Sequence, residues 1–244
     1  MLKVLRKLHH LLLVASLGLF FFLFWPPLKY FSLKPSRYYG MIWLRKWWAF
    51  LSSAVVGIFY RFTFEAPIDW SRTYIICPNH ASNLDISAMS ILLGHTNCCF
   101  MGKEDLLEGM FTGIYFRTVD LPVNRDSKIS SFKAFKKAGE RLEHGTNMIL
   151  FPEGGIADTY PPTINEFKSG AFRLAIELKI PIIPVTSLNT WKVLWDDGAK
   201  YGSRPGICDV YVHKPIETAH LTMDDAEALK DQVYGLIKEK FESA

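Results

Sequence analysis

No acidic residue precedes Glu65. The first 64 residues carry nine Lys or Arg side chains (Lys3, Arg6, Lys7, Lys29, Lys34, Arg37, Arg45, Lys46, Arg61). The other 19 of the 28 cations share residues 65–244 with all 24 acids, so a formal charge of +4 conceals a basic end on a body of net charge −5. The basic end is also poor in polar residues. A nucleic-acid arm is basic and polar, whereas here the cations are interleaved with Trp, Phe and Leu, which points away from nucleic acid and toward an anionic membrane surface. Cysteine is scarce as well: four residues, with no Cys-x-x-Cys spacing of the kind zinc sites use. Cys98 and Cys99 are adjacent and would face opposite sides of a strand, so buried free thiols in a reducing compartment are expected rather than disulfides. No serine or cysteine sits in a nucleophile-elbow context, and there is no internal repeat or low-complexity linker.

Leu11 to Trp25 runs without a charge, behind Lys3, Arg6 and Lys7, and is closed by Pro26-Pro27. No small-x-small cleavage site follows it. A second apolar, aromatic-rich run extends from Trp47 to Phe62. Each run is about 15 residues, roughly 22 Å as a helix, short of the ~30 Å hydrocarbon core. Spanning as a hairpin would carry the basic link of Lys29, Lys34, Arg37, Arg45 and Lys46 across the membrane, against the positive-inside tendency. The expectation is therefore a membrane-embedded two-helix segment at residues 1–64, monotopic in the cytoplasmic leaflet, with its basic residues at the headgroups. A short spanning hairpin, a single span or a cleaved signal are the alternatives.

Residues 65–244 read as one α/β domain, large enough to bury a full core. Strands are expected at Thr73–Cys77, Asn97–Met101, Val119–Val123, Asn147–Phe151, Ile182–Ser187 and Cys208–His213. Helices are expected at Leu84–Leu93, Met110–Phe116, Ser127–Glu143, Glu166–Leu178 and Thr222–Phe241. Apolar strands alternating with helices imply a mostly parallel central sheet flanked by helices. Chemistry then belongs where strands end and helices begin.

Asn79-His80-Ala81-Ser82-Asn83-Leu84-Asp85 sits at such a junction. A histidine at a strand's end and an aspartate one turn into the next helix can meet side chain to side chain. One ring nitrogen then faces a substrate while the carboxylate fixes the tautomer through the other. Without a protein nucleophile, the pair reads as a general base for a hydroxyl brought by the substrate. Phe151-Pro152-Glu153-Gly154-Gly155 follows another strand, where Gly154 permits close backbone approach and Glu153 can bind hydroxyls or amines; a structural turn is the bland alternative. Lys103 and Arg125 each follow a strand and suit a phosphate, though each also reads as an ordinary surface charge. Lys168 opens a helix in Phe167-Lys168-Ser169-Gly170, where free N–H groups favour an anion. His9, His10, His95, His144, His213 and His220 read as capping, anchor or surface residues.

These stations, in this order, closely resemble the glycerolipid acyltransferase family typified by 1-acyl-sn-glycerol-3-phosphate acyltransferase. The family's Asn-His-x4-Asp block is matched by Asn79, His80 and Asp85. Its lysine-to-arginine block is similar to Lys103 and Arg125, and its Phe-Pro-Glu-Gly block to Phe151–Gly154. A Phe-Lys-x-Gly element is matched by Phe167, Lys168 and Gly170, and an Ile-Pro-Ile-Val-Pro-Val strand by Ile180–Val185. The resemblance covers roughly residues 70–190. It implies acyl transfer from acyl-CoA or acyl-carrier protein to a lysophospholipid hydroxyl, with His80 and Asp85 catalytic. Asn79, Lys103, Arg125, Glu153, Gly154 and Lys168 would then contact substrate, with no metal and no bound cofactor. Where the family has Thr-Arg after Phe-Pro-Glu-Gly, this chain has Gly155-Ile156. The family assigns that arginine to the acceptor's phosphate, which leaves Arg125, Lys103 or Lys168 for the task, or a different lysolipid as acceptor. Two other readings compete: a metal-dependent membrane hydrolase using His80, Asp85 and Glu153 as ligands, and a non-catalytic lipid-binding protein.

Overall fold

The computed structural model describes residues 1–124 and 127–244, so Arg125 lies outside the described residues. Two helices, α1 (Leu2–Ser32) and α2 (Tyr38–Ala54), pack on each other at the start of the chain. There follow β1 (Ile58–Phe64), β2 (Ile75–Pro78), α3 (Leu84–Leu93), β3 (Cys98–Lys103), α4 (Gly113–Phe116), β4 (Leu121–Val123) and α5 (Lys128–Glu143). Then come β5 (Asn147–Leu150), α6 (Gly170–Leu178), β6 (Ile182–Ser187), α7 (Thr190–Val193), β7 (Gly206–Val212) and α8 (Ala226–Glu242). The strands form one sheet in the order β1-β7-β6-β2-β5-β3-β4. Neighbours run parallel except β6 and β7, so β1 and β7 oppose the other five strands. The mostly parallel sheet expected from the sequence is thus present, with one antiparallel join.

β2, β5 and β6 are buried along their whole length, as predominantly apolar strands are when both faces of a sheet are covered. β7 alternates instead, burying Cys208, Val210 and Val212. The order β6-β2-β5 matters most for function. Three adjacent parallel strands end side by side, and the residues that follow them share one crevice at the carboxyl edge of the sheet.

The N-terminal region differs from the sequence reading in three ways. First, α1 does not stop at Pro26-Pro27 but continues through both to Ser32, giving 31 residues, about 46 Å at 1.5 Å per residue. Each proline removes one helical hydrogen bond. Packing of Phe21 and Leu28 into the core and of Phe24 and Phe31 against it holds the helix across the gap. α1 is the one helix among the described residues long and apolar enough to cross a membrane, and 22% of its most apolar window is buried within the protein. Second, the run Trp47–Phe62 is not one helix. It breaks after Ala54, turns at Gly57 with φ +75°, and enters the sheet as β1 beside β7. Third, Arg45 does not sit at the surface with the other cations. It is buried in α2, and its Nη1 donates to both oxygens of Asp120 at 2.9 and 2.7 Å. An arginine in an apolar helix is tolerable there only because the carboxylate of Asp120, just ahead of β4, meets it.

The four cysteines are free and buried. The start of α1 docks on the loop after α7, where Arg6 O accepts Ser203 N–H and the His9 ring bridges the Ser203 hydroxyl and Val56 O. Gly202 sits in that contact with φ +72°, and a Cβ there would lie 2.5 Å from Arg6 O. Gly202→Ala is expected to destabilise the protein by about 1–3 kcal/mol. Gly145→Ala, with φ +78° but open space around it, loses only the left-handed penalty of about 1 kcal/mol. Denaturant titration of both variants in detergent separates the two.

Candidate active site

β2 ends at Pro78, and the next seven residues turn from strand to helix with His80 at the corner. Asn79 is fully buried and spent on the scaffold: its Oδ1 accepts Ser187 N–H at 2.7 Å and its Nδ2 donates to Ser187 O at 3.2 Å. It clamps the end of β2 to the end of β6 and so sets where His80 projects.

Asp85, in the first turn of α3, is fully buried. Its Oδ2 accepts the N–H groups of Ala81 and Ser82, each at 2.8 Å, and lies 3.3 Å from His80 Nδ1. Its Oδ1 accepts the Thr190 hydroxyl at 2.7 Å. Two backbone N–H groups at a helix start are an anion site in themselves, and here the anion is a side chain of the same helix. With Nδ1–H directed at Asp85, Nε2 is the basic nitrogen of His80. The ring stacks on Phe151, 4.2 Å between centroids, and keeps 14% of its surface open. It is therefore fixed in plane and in tautomer while one edge remains accessible.

Glu153, after β5, is buried and binds protein: Oε1 accepts His80 N–H at 2.6 Å and Oε2 accepts Asn165 N–H at 2.7 Å. Burial is the largest influence on its carboxyl and raises it to about 7, against the opposing pull of those two N–H groups. Glu153 thus holds the His80 backbone from the β5 side while Asn79 holds it from β6. Its oxygens, like those of Asp85, are already taken by N–H and O–H donors, so the two do not form a ligand set with His80, and no cluster of three metal-ligating side chains occurs among the described residues.

Because the folded carboxyl holds its proton up to about pH 7 and an unfolded one only to about 4.5, the native state binds the extra proton between those values. Stability is therefore expected to fall as pH rises through that window, by on the order of 3 kcal/mol in total. Glu153→Gln should flatten that dependence. Chemical denaturation at several pH values between 4 and 8 checks both statements, and a stability rising with pH in wild type but not in the variant would contradict them.

A cavity of about 440 Å³ opens beside His80. Its walls are mainly apolar and aromatic, among them Phe151, Phe100, Trp48, Phe111 and Phe116. Gly154, Gly155 and Ile156 line it, so where the resembled family has an arginine this chain presents an apolar wall. Lys103 stands at the end of β3, exposed, and also lines it. Lys168 is elsewhere, in a neighbouring cavity of about 230 Å³ beside the start of α6, which shares Met101, Phe151 and Gly154 with the first.

Several contributors were not singled out in the sequence. Thr190 reaches Asp85 from after β6 and carries no local signal, since its partner is 105 residues away. Phe151 was visible only as part of a motif, and its stacking on His80 is a tertiary contact. Asp196 lines the cavity with φ +52° and lends its carbonyl to Asn83 N–H. A non-glycine residue in that region beside a reactive site is backbone strain held by its surroundings.

Residues 60–188, just over half the chain, match the family model described as Acyltransferase. The 1-acyl-sn-glycerol-3-phosphate acyltransferase of Saccharomyces cerevisiae is 32% identical over 181 residues, 69% of this chain and 56% of that protein. The 1-acyl-sn-glycerol-3-phosphate acyltransferase alpha of Mus musculus is 27% identical over 165 residues, 67% of this chain and 56% of that one. The matched region thus spans a little over half the length of these curated relatives. The crystal structure of the 1-acyl-sn-glycerophosphate (LPA) acyltransferase PlsC from Thermotoga maritima shares the fold, with a TM-score of 0.76 at 21% identity over 100% of this chain and 97% of that one.

Proposed function

The chain belongs to the Acyltransferase family, and from that premise we propose that it moves a fatty acyl group from a thioester to the free hydroxyl of a lysophospholipid. The donor is acyl-CoA or acyl-carrier protein, and the acceptor proposed first is 1-acyl-sn-glycerol-3-phosphate, which would give phosphatidic acid. The observation that carries this reading is His80, paired through Nδ1 with buried Asp85, at the edge of an apolar cavity of acyl-chain character.

In this reading His80 Nε2 takes the acceptor's hydroxyl proton as its oxygen attacks the thioester carbonyl. Asp85 supports the imidazolium that forms. Collapse of the tetrahedral intermediate breaks the C–S bond, and the thiolate leaves and can recover the proton. A substrate hydroxyl supplies the nucleophile, in keeping with a His80 ring whose hydrogen-bond partner among the described residues is Asp85 and not a serine or cysteine. No resident cofactor or metal is called for. Lys103 and Lys168, one in each of the adjoining cavities, are the described cations proposed for the acceptor's headgroup.

The chain is further proposed to lie in the cytoplasmic leaflet of a membrane. Leu5, Leu8, Leu12, Leu19 and Phe22 of α1 and Trp43 and Phe50 of α2 are exposed, and the cost of leaving that surface in water favours lipid. Phe21 of α1 touches Trp48 and Phe111, both in the cavity wall, at ring distances of 5.5 and 5.0 Å. An acyl chain entering from the leaflet would therefore pass directly from α1 to the reactive site.

The test is transfer of labelled acyl groups from acyl-CoA, then from acyl-carrier protein, to a panel of lysolipids. Product from lysophosphatidic acid supports the full reading. Product from another lysolipid moves the headgroup assignment, and no product from any pair rejects acyl transfer.

A further inference from the structure

Ile129 and Phe132 of α5 leave 71% and 72% of their surface open, and Lys133 and Lys136 are exposed beside them. Positions 129, 132, 133 and 136 fall at i, i+3, i+4 and i+7, so the four side chains make one stripe along the helix. The opposite side of α5 buries Ala134, Ala138 and Leu142. Neither Ile129 nor Phe132 joins the hydrophobic core. The two lysines pair with no acid among the described residues. From Ser127 to Gly139 the chain holds four lysines and no acid. Adjoining large apolar groups left in water and rimmed by charge of one sign mark a surface that binds something.

We infer that this stripe docks the acyl-carrier protein that delivers the thioester. This rests on the acyl-transfer reading above and specifies its donor. An acidic carrier complements the lysines in charge, and Ile129 and Phe132 supply the apolar contact that such an interface needs at its centre. A membrane is the other surface that a basic helix with apolar residues fits, and two observations favour the carrier. A helix lying on lipid keeps its cations and its apolar groups on separate faces, whereas Lys133 and Lys136 share one stripe with Ile129 and Phe132. The second observation is topological. α3 leads from β2 to β3 and α5 from β4 to β5, in opposite directions along the sheet. Right-handed crossovers then place the two helices on opposite faces. α3 packs on α2 and α2 on α1, while α5 packs on α6 and α6 on α8. The stripe thus lies across the sheet from the apolar helices proposed for lipid.

The stripe also stands at the right edge of the sheet. α5 begins shortly after β4, at the carboxyl edge where His80 follows β2. Ser131 and Phe135 of the same helix line the cavity of about 230 Å³, which shares Met101, Phe151 and Gly154 with the one beside His80. A thioester on the carrier's flexible arm would enter over that second cavity and reach His80 along the shared wall.

The experiment uses the full chain in mixed micelles with three palmitoyl donors. They are the acyl-carrier protein of the same organism, coenzyme A, and pantetheine, which keeps the thioester without protein or phosphate. Lys133→Glu/Lys136→Glu is expected to lower kcat/KM with the carrier donor about tenfold or more, chiefly through KM, and to leave the pantetheine donor unchanged. Added salt should lower the carrier rate of the wild type and affect the variant less. Ile129→Ala/Phe132→Ala should lower the carrier rate while sparing both small donors. Equal losses with all three donors, or no loss with the carrier, overturn the inference and leave acyl transfer standing. A charge reversal that weakens binding to vesicles of anionic phospholipid, with the ranking of donors intact, overturns it too and makes the stripe a membrane contact. Fluorescence anisotropy of labelled palmitoyl-carrier protein reads docking without turnover. Binding that the charge reversal abolishes, with no transfer from any donor, would uphold the docking surface and reject the acyltransferase reading; binding equal in both proteins would reject the surface.

Discussion

His80→Ala is expected to lower kcat for acyl transfer by about 10²–10⁴, the usual contribution of a positioned general base, or roughly 3–5 kcal/mol of barrier. The fold should survive the change. The side chain's polar contact is with Asp85, and that carboxylate keeps the N–H groups of Ala81 and Ser82 and the Thr190 hydroxyl when the ring is gone. KM for the thioester should move little, because the cavity proposed for the acyl chain is walled mainly by residues other than His80. Steady-state kinetics on purified protein, beside a thermal melt, checks this. A variant keeping more than about a tenth of wild-type turnover would remove His80 from the role of base.

Asp85 offers a sharper test, because two substitutions at one atom position should separate catalysis from folding. In Asp85→Asn the amide oxygen can take over Oδ2, accepting from Ala81, Ser82 and His80, while the NH₂ donates to a rotated Thr190 hydroxyl. Stability should therefore change by only about 1 kcal/mol. Activity should fall about 10³–10⁴, since no charge remains beside Nδ1 to support the imidazolium that forms. Asp85→Ala instead leaves two buried N–H groups without an acceptor and should cost about 3–5 kcal/mol of stability. Denaturant titration paired with kcat measurements reads both axes. Equal stability loss in the two variants would mean the buried carboxylate is structural first, and Asp85→Asn within tenfold of wild type would take it out of the catalytic pair.

The sequence by itself determined those features that depend on short range. The unbroken apolar runs at Ile75–Cys77, Met148–Leu150 and Ile182–Val185 fit the middle of a covered parallel sheet. His80 and Asp85, five residues apart across a strand end and a helix start, meet because local geometry allows little else. His144 caps α5 through Glu140 O as its place before Gly145 suggests.

Tertiary structure decided the rest, wherever two readings were equal locally. Ile58–Phe64 is aromatic and apolar enough for a helix, and only the free edge of β7 and the turn at Gly57 make it a strand with Ile58, Tyr60 and Phe62 facing inward. Pro26-Pro27 is a helix stop in isolation, and packing of Phe21 and Leu28 on the core overrides it. Arg45 resembles its basic neighbours until Asp120, 75 residues later, arrives opposite it. Thr190, Phe151 and Asn165 join the site for the same reason. The order of strands brings the ends of β6, β2 and β5 together, and strand order is a property of the packed sheet that no local stretch of sequence carries.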